Sequence, residues 1–397
     1  MKLADRVSQL KASATLAVSA KAQELKARGK SILSLSVGEP DFPTPEYICE
    51  AAKQAIDAGF TRYTPVPGMP EMREAAAAYF NRFYKADARA ENIIVGNGGK
   101  QCLYNLCQVL LNPGDHVLIP APYWVSYPPM VELAAAKPVI IATSPENGFK
   151  VSLEQLDSSL TPKTRLLLLN SPSNPTGACY TQAELDAIAQ WAVDKGIVIV
   201  ADEIYDKLVY GSQPSLSLCS WWKKYPENFV IVNGVAKTFA MTGWRVGYAL
   251  ADPELVKAMS RLQGQSTSNV CSISQKAAIA ALEGDFSDVD IMRAAFARRR
   301  DLAMSIVSDW EDVMCPTPEG AFYIFPDVHR HYTQAIPDST TLCTVLLEEA
   351  GVAVVPGAAF GDDRCIRISY AVSDDVLTRA MHKIATVLLR KKNGAGR

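Results

Sequence analysis

Lys237, in the stretch NFVIVNGVAKTFAMTGWRVGYAL, has the setting that most invites chemistry. A strand-length apolar run precedes it, small and apolar residues surround it, and Arg245 follows with Gly243 close by. A lysine taken out of water loses basicity, and the neutral amine is a nucleophile able to form a Schiff base. An arginine offers a fixed fork of donors to a phosphate. Asp202 closes the run IVIVAD, where a carboxylate serves either as a helix N-cap or as the partner of a protonated ring nitrogen. In IIVGNGGKQ, Gly96, Gly98 and Gly99 follow another apolar run and open a helix over 101–111. Glycines let backbone approach an anion, and a helix start supplies free N–H groups. Asn174 stands between Pro172 and Pro175 in LLLLNSPSNPTG, a rigid loop in which either X-Pro bond can be cis. Each feature alone has a plainer reading: a solvated lysine, a capped helix, a tight βα turn, a Pro/Asn turn.

Together they are the parts that a pyridoxal phosphate site needs: an anion loop, a ring-nitrogen carboxylate, a nucleophilic lysine and a phosphate-binding arginine. GVAKTFAMTGWRVG (234–247) resembles the cofactor-attachment signature of class I aminotransferases. SVGEPDFPTP (36–45), RYTPVPG (62–68), PYWVSYP (122–128), NSPSNPTG (170–177), ADEIY (201–205), EGAFY (319–323), GVAVVPG (351–357) and IRISYA (366–371) are similar to that family's blocks, in the same order. The resemblance covers nearly the whole chain and is nearest to bacterial aspartate aminotransferases of the aspartate/prephenate subgroup. It implies pyridoxal 5'-phosphate as cofactor, with Lys237 as Schiff-base lysine and proton shuttle and Asp202 on the pyridine nitrogen. Asn174 and Tyr205 would meet the ring hydroxyl oxygen, and Trp124 would stack on the ring. The backbone of Gly99 and Lys100, with Arg245, would cradle the phosphate. Tyr63 would reach that phosphate from a neighbouring subunit, which makes a homodimer with shared sites.

Arg367 lies between Ile366 and Ile368 in a short strand whose alternation points it away from both. An arginine held among apolar residues needs a bidentate partner; the resemblance makes that partner the substrate α-carboxylate, with backbone contact from Gly38. A dicarboxylic substrate also needs a cation for its distal carboxylate, since a buried unpaired carboxylate is costly. The stretch 263–275, QGQSTSNVCSISQ, where some aspartate aminotransferases carry an arginine, has none. The nearest resemblance uses a lysine after paired glycines and a threonine near the N-terminus, matched by Lys100 and Thr15. The reaction implied is ping-pong transamination between L-aspartate and 2-oxoglutarate, giving oxaloacetate and L-glutamate, with prephenate as a further substrate. Competing readings are a lyase on the same scaffold, an aminotransferase of other specificity, and a regulator using the fold to sense an effector. The last would add a basic helix-turn-helix region, for which the residues before the first motif show no pattern.

The elements that must position these residues alternate. Apolar runs of strand length occur at 93–95, 117–119, 166–169, 197–200 and 229–232, separated by segments of helical period. From LLLLN to IVIVADE, Thr181 and Glu184 form a capping box, Leu185, Ile188 and Ala192 share a face, and Gly196 ends the helix. Such βαβ units imply an α/β fold whose mostly parallel sheet is covered by helices, with ligands beyond the carboxyl ends of its strands. After about residue 285 a long charged helix over 291–310, the Gly/Pro-rich PTPEGAFYIFPD, and short strands near 352–355 and 365–370 point to a smaller α+β domain. We expect 1–44 to be an N-terminal arm with part of that small domain, 45–285 the large cofactor-binding domain and 286–397 the remainder of the small domain.

Composition agrees with a globular enzyme. Forty Lys and Arg against 42 Asp and Glu leave a formal net charge of -2, with no strong field for nucleic acid or an anionic membrane. Hydrophobic residues make up 48% of the 397, ample for a large core. The nine cysteines contain no Cys-x-x-Cys pair and read as reduced, buried thiols, with no metal site. No run reaches signal-peptide or membrane-span length, so a cytoplasmic location is expected.

Overall fold

Near-continuous runs of Val, Ile and Leu suit strands buried on both faces, and the runs read from the sequence take that form. The computed structural model describes residues 3–8, 10, 14–211 and 216–394, without the side chains of 14–16 and 390–394. A short strand, β1 (Leu33–Ser34), precedes a seven-stranded sheet of β2 (Ile93–Gly96), β3 (His116–Ala121), β4 (Lys137–Ala142), β5 (Thr164–Asn170), β6 (Val198–Asp202), β7 (Phe229–Gly234) and β8 (Gly247–Leu250). Their order across the sheet is β2-β8-β7-β6-β5-β3-β4. All pairings are parallel except those of β8, which runs antiparallel to both β2 and β7.

Alternation along each strand divides the core between the two faces. Leu167, Leu169, Ile199 and Ile231 pack into one buried cluster, while Leu166, Leu168, Val200, Val230 and Val232 pack into another. The helix Gln182–Lys195 is capped as its sequence dictates: Thr181 Oγ1 accepts the Glu184 N–H at 3.2 Å, and Gly196 closes it at φ 66°. The helix expected over 101–111 runs Gly99–Leu110, and the long charged helix begins earlier than read, spanning Ser287–Val307.

Two strands of this seven-stranded sheet, β4 and β8, have no counterpart among the runs read from the sequence. β4 is an edge strand with Pro138 at its second position and Ile140 42% exposed, so it lacks the buried pattern of its neighbours. β8 has only four residues, GYAL.

The C-terminal third forms β9 (Tyr323–Ile324), β10 (Val352–Ala353), β11 (Val355–Pro356) and β12 (Ile366–Ser369), with β12 between β11 and β9 in an antiparallel sheet. β1 pairs with β10 in parallel, Leu33 opposite Val352. Leu33 and Leu35 pack with Phe296, Ile324, Ile366 and Leu377 in a separate buried cluster. All nine cysteines are free thiols, five of them buried; Cys271 is exposed, which corrects the expectation that all are interior. No described helix is long and apolar enough to cross a membrane.

Candidate active site

Parallel strands deliver their carboxyl ends to one edge of the sheet, and the chemistry collects there. Asp202 ends β6 opposite Asn170 at the end of β5. Lys237 sits in the short helix Val235–Thr238 directly after β7, and the glycine loop follows β2. Arg245 reaches the same edge because β8 is reversed, which puts its first residue, Gly247, opposite both Gly96 and Gly234. A cavity of about 400 Å³ opens at this edge, and Gly38, Gly99, Lys100, Trp124, Asn174, Asp202, Tyr205, Lys237, Arg245 and Arg367 all line it.

At its centre Lys237 Nζ donates to the Gly38 carbonyl at 2.5 Å. Burial holds this ammonium down to about 8; Arg367 and Arg245 add to the effect, while Glu39 and Asp202 oppose it. Asp202 is buried, and desolvation pushes its carboxyl up to about 6. Tyr127 Oη donates to its Oδ2 at 2.7 Å and the Ile204 N–H to its Oδ1 at 3.3 Å, both favouring the ionised form. No helix starts after Asp202: residues 204–207 form a turn, so the N-cap reading gives way to a carboxylate facing the cavity.

Arg367 is 2% exposed and forms no ion pair with any described acidic side chain. Its Nη1 donates to Asn174 Oδ1 at 3.1 Å and its Nη2 to the Ser36 carbonyl at 2.7 Å, while Nε has no partner. The guanidinium lies 4.6 Å from the Tyr323 ring centroid and 5.0 Å from that of Phe360. A desolvated arginine lacking a carboxylate is a site for one. Tyr205 and Tyr323 meet hydroxyl to hydroxyl at 3.0 Å beside it. Both X-Pro bonds flanking Asn174, at Pro172 and Pro175, are cis.

At the other end, the cavity meets the glycine loop, the start of a helix, and the side chains of Lys100 and Arg245. Gly98 at φ 83° precedes the helix Gly99–Leu110, whose start has no side-chain cap. The approach demands glycine: a Cβ on Gly98 would lie 2.5 Å from Arg245 Nη2, and one on Gly247 would lie 2.1 Å from the Gly99 nitrogen. Arg245 is anchored through Nη1 to Thr242 O at 3.0 Å and Nη2 to Asn97 O at 3.2 Å. Lys100 Nζ lies 4.8 Å from the Trp124 ring centroid; partial burial and Arg245 draw its pKa down. Such an end fits a phosphate.

One expected residue is not brought together with the rest in this chain, and another has no described side chain. Tyr63 is 90% exposed and does not line this chain's cavity. Thr15 falls in the helix Ala14–Ala27, but its side chain lies outside the described residues. Sequence reading missed Tyr127 and Tyr323. Both stand inside quoted motifs, PYWVSYP and EGAFY, where a second aromatic beside polar neighbours was the available signal.

A family profile described as aminotransferase class I and II matches residues 30–384. The chain belongs to that family. It is 46% identical over 389 residues to an aspartate/prephenate aminotransferase of Cereibacter sphaeroides, covering 96% of this chain and 97% of that one. With an aspartate aminotransferase of Bacillus subtilis the identity is 44% over 385 residues, covering 97% and 98%. Among solved structures, the aspartate aminotransferase of Thermus thermophilus with maleate superposes with a TM-score of 0.92 at 42% identity, covering 98% of this chain and all of that one. Family membership accounts for the unbroken order of the motifs along the chain.

Proposed function

We propose that this aminotransferase is a pyridoxal 5'-phosphate-dependent aspartate aminotransferase, moving the amino group between L-aspartate and 2-oxoglutarate to give oxaloacetate and L-glutamate. The observation that carries this is the part-buried Lys237 amine, held down to about 8 between an anion cradle and an arginine without a carboxylate. The residues fit the cofactor: the Gly99 and Lys100 backbone with Arg245 would hold its phosphate, Asp202 its ring nitrogen, Asn174 and Tyr205 its hydroxyl oxygen, and Trp124 its ring face. When bound, it supplies an electron sink for cleavage of the bond to the α-hydrogen.

Arg367 takes the substrate α-carboxylate on its inner fork, and Asn174 and Ser36 hold that fork still. Lys237, with basicity near neutral pH, takes the α-proton and returns it on the other side of the exchange. Asp202 stays ionised at neutral pH because Tyr127 and the Ile204 amide oppose its desolvation, so negative charge faces the ring nitrogen. Lys100, at the mouth, meets the distal carboxylate of aspartate or glutamate, with Thr15 as a second donor.

Prephenate is a second substrate on this reading. A cavity of about 1000 Å³ adjoins the first and shares Lys100, Val125, Ser126 and Arg245 with it, leaving room at the mouth for a ring that carries its own carboxylate. Tyr63 would complete each site from a second copy, making a homodimer, and the location is cytoplasmic. The division at 44/45 and 285/286 is part of the proposal, supported by the pairing of β1 with β10. Amino donors assayed against 2-oxoglutarate, oxaloacetate and prephenate test the assignment. Aspartate with 2-oxoglutarate should turn over fast; turnover of an amino acid with no oxo acid present would indicate a lyase instead.

A further inference from the structure

The arginine-free stretch 263–275 turns its two end glutamines inward, and both are fully buried. Gln275 Oε1 accepts the Met69 N–H at 2.8 Å, and Nε2 donates to Thr64 Oγ1 at 3.1 Å and to Val270 O at 2.8 Å. Gln263 Nε2 donates to Val66 O at 2.9 Å, and Ser272 Oγ donates to Phe60 O at 2.7 Å. The segment 60–69 is thus gripped at its start, middle and end. Between the grips stands Tyr63, 90% exposed.

A buried amide is costly unless its donors and acceptor are satisfied. An apolar side chain would fill the same space without that requirement, but it would not fix the register of an irregular segment. An exposed tyrosine on a loosely held loop would lose backbone and rotamer freedom each time it docked, whereas one on a held segment has lost it already.

We propose that Gln275 is a positioning residue for Tyr63, holding the segment 60–69 so that the phenol is presented to the phosphate cradle of a second copy of this chain. The proposal rests on the shared-site reading above. Gln263 also donates to Val95 O at 2.9 Å and accepts from Asn105 Nδ2 at 3.1 Å, so it braces the strand leading into its own cradle. Among the described residues, the Gln275 side chain hydrogen-bonds only to the Tyr63 segment and its own stretch, which makes it the cleaner probe.

The experiment is titration of cofactor-free protein with pyridoxal phosphate, comparing wild type, Tyr63→Phe, Gln275→Leu and the double variant. Tyr63→Phe should weaken binding about tenfold, as expected for a hydrogen bond to a charged group. Gln275→Leu should weaken it several-fold, and the double variant no more than Tyr63→Phe alone. Wild-type affinity in Tyr63→Phe overturns the shared-site reading itself. With that reading intact, an unchanged Gln275→Leu, or losses that multiply in the double variant, overturns the positioning role. Ser272→Ala, which releases only the grip on Phe60, gives the same non-additive test should Gln275→Leu not fold. Mixing Gln275→Leu with Lys237→Ala at limiting cofactor adds a readout that a purely structural defect would not move. Hybrid dimers then hold one site with an intact lysine and an undisturbed Tyr63, so activity should exceed that of both parents. No gain after demonstrated subunit exchange contradicts the proposal.

Discussion

The inner wall of the cavity and its mouth are built in opposite ways. Inside, Asp202 and Arg367 are 7% and 2% exposed and held by sheet register and hydrogen bonds from several elements. At the mouth, Lys100 is exposed and stands on the first turn of a helix, its Nζ 4.8 Å from the Trp124 ring centroid. On the proposed function, Arg367 faces the α-carboxylate common to every amino acid substrate and Asp202 the ring nitrogen of the cofactor. On the same reading, Lys100 at the mouth would face what varies, the distal group. Rigid placement would then serve chemistry, and the flexible ammonium of Lys100 selection.

The comparison predicts that inner substitutions act on all substrates alike. Arg367→Ala should lower kcat/KM at least about a hundredfold for aspartate and phenylalanine equally, because a desolvated carboxylate loses its partner. Arg367→Lys should restore little, since an ammonium lacks the fork. Loss for aspartate alone would break the comparison. At the mouth, Lys100→Ala should cost aspartate about tenfold and phenylalanine less than about twofold; equal losses would remove Lys100 as the distal-carboxylate ligand.

Tyr127→Phe sharpens the inner half. The phenol stabilises ionised Asp202, so removing it should raise that carboxyl further above its present value of about 6. The acid limb of the kcat/KM profile should then move up by about one unit; an unmoved limb would show that Tyr127 does not tune Asp202. The smallest effect concerns stability. Lys237 is depressed to about 8 in the folded chain, so below that pH folding pays to bury a charge that the unfolded chain leaves in water. Lys237→Met should therefore raise the Tm of cofactor-free protein by a few degrees at pH 7, with the gain fading between about 8 and the ordinary lysine value of about 10.4. A lowered Tm at pH 7 would contradict the strain assigned to this lysine.

What the sequence disclosed follows the same division. Lys237, Asp202 and the glycine loop were legible because each ends an apolar run, and a parallel sheet must bring such ends to one edge. Arg367 was legible from its alternation with Ile366 and Ile368. Tyr127 and Tyr323 were not, because their roles depend on partners, Asp202 and Tyr205, that only tertiary structure supplies. Neither was β8 nor its reversal, which carries Arg245 to the site; a run of four residues is too short to signal a strand or its direction. Gln275 was quoted only as part of a stretch lacking an arginine, since its burial comes from the segment folded over it.

The central claim is that Lys237 carries the α-proton, and exchange at the aspartate α-carbon measures this without a second substrate. In deuterated buffer, cofactor-loaded wild-type protein should wash the α-hydrogen of aspartate out of its proton NMR signal. Lys237→Ala should slow that loss by at least about a hundredfold, the lower range for a positioned general base, while still binding aspartate. Washout at near wild-type rate in Lys237→Ala would contradict the account and move proton transfer to another group in the cavity.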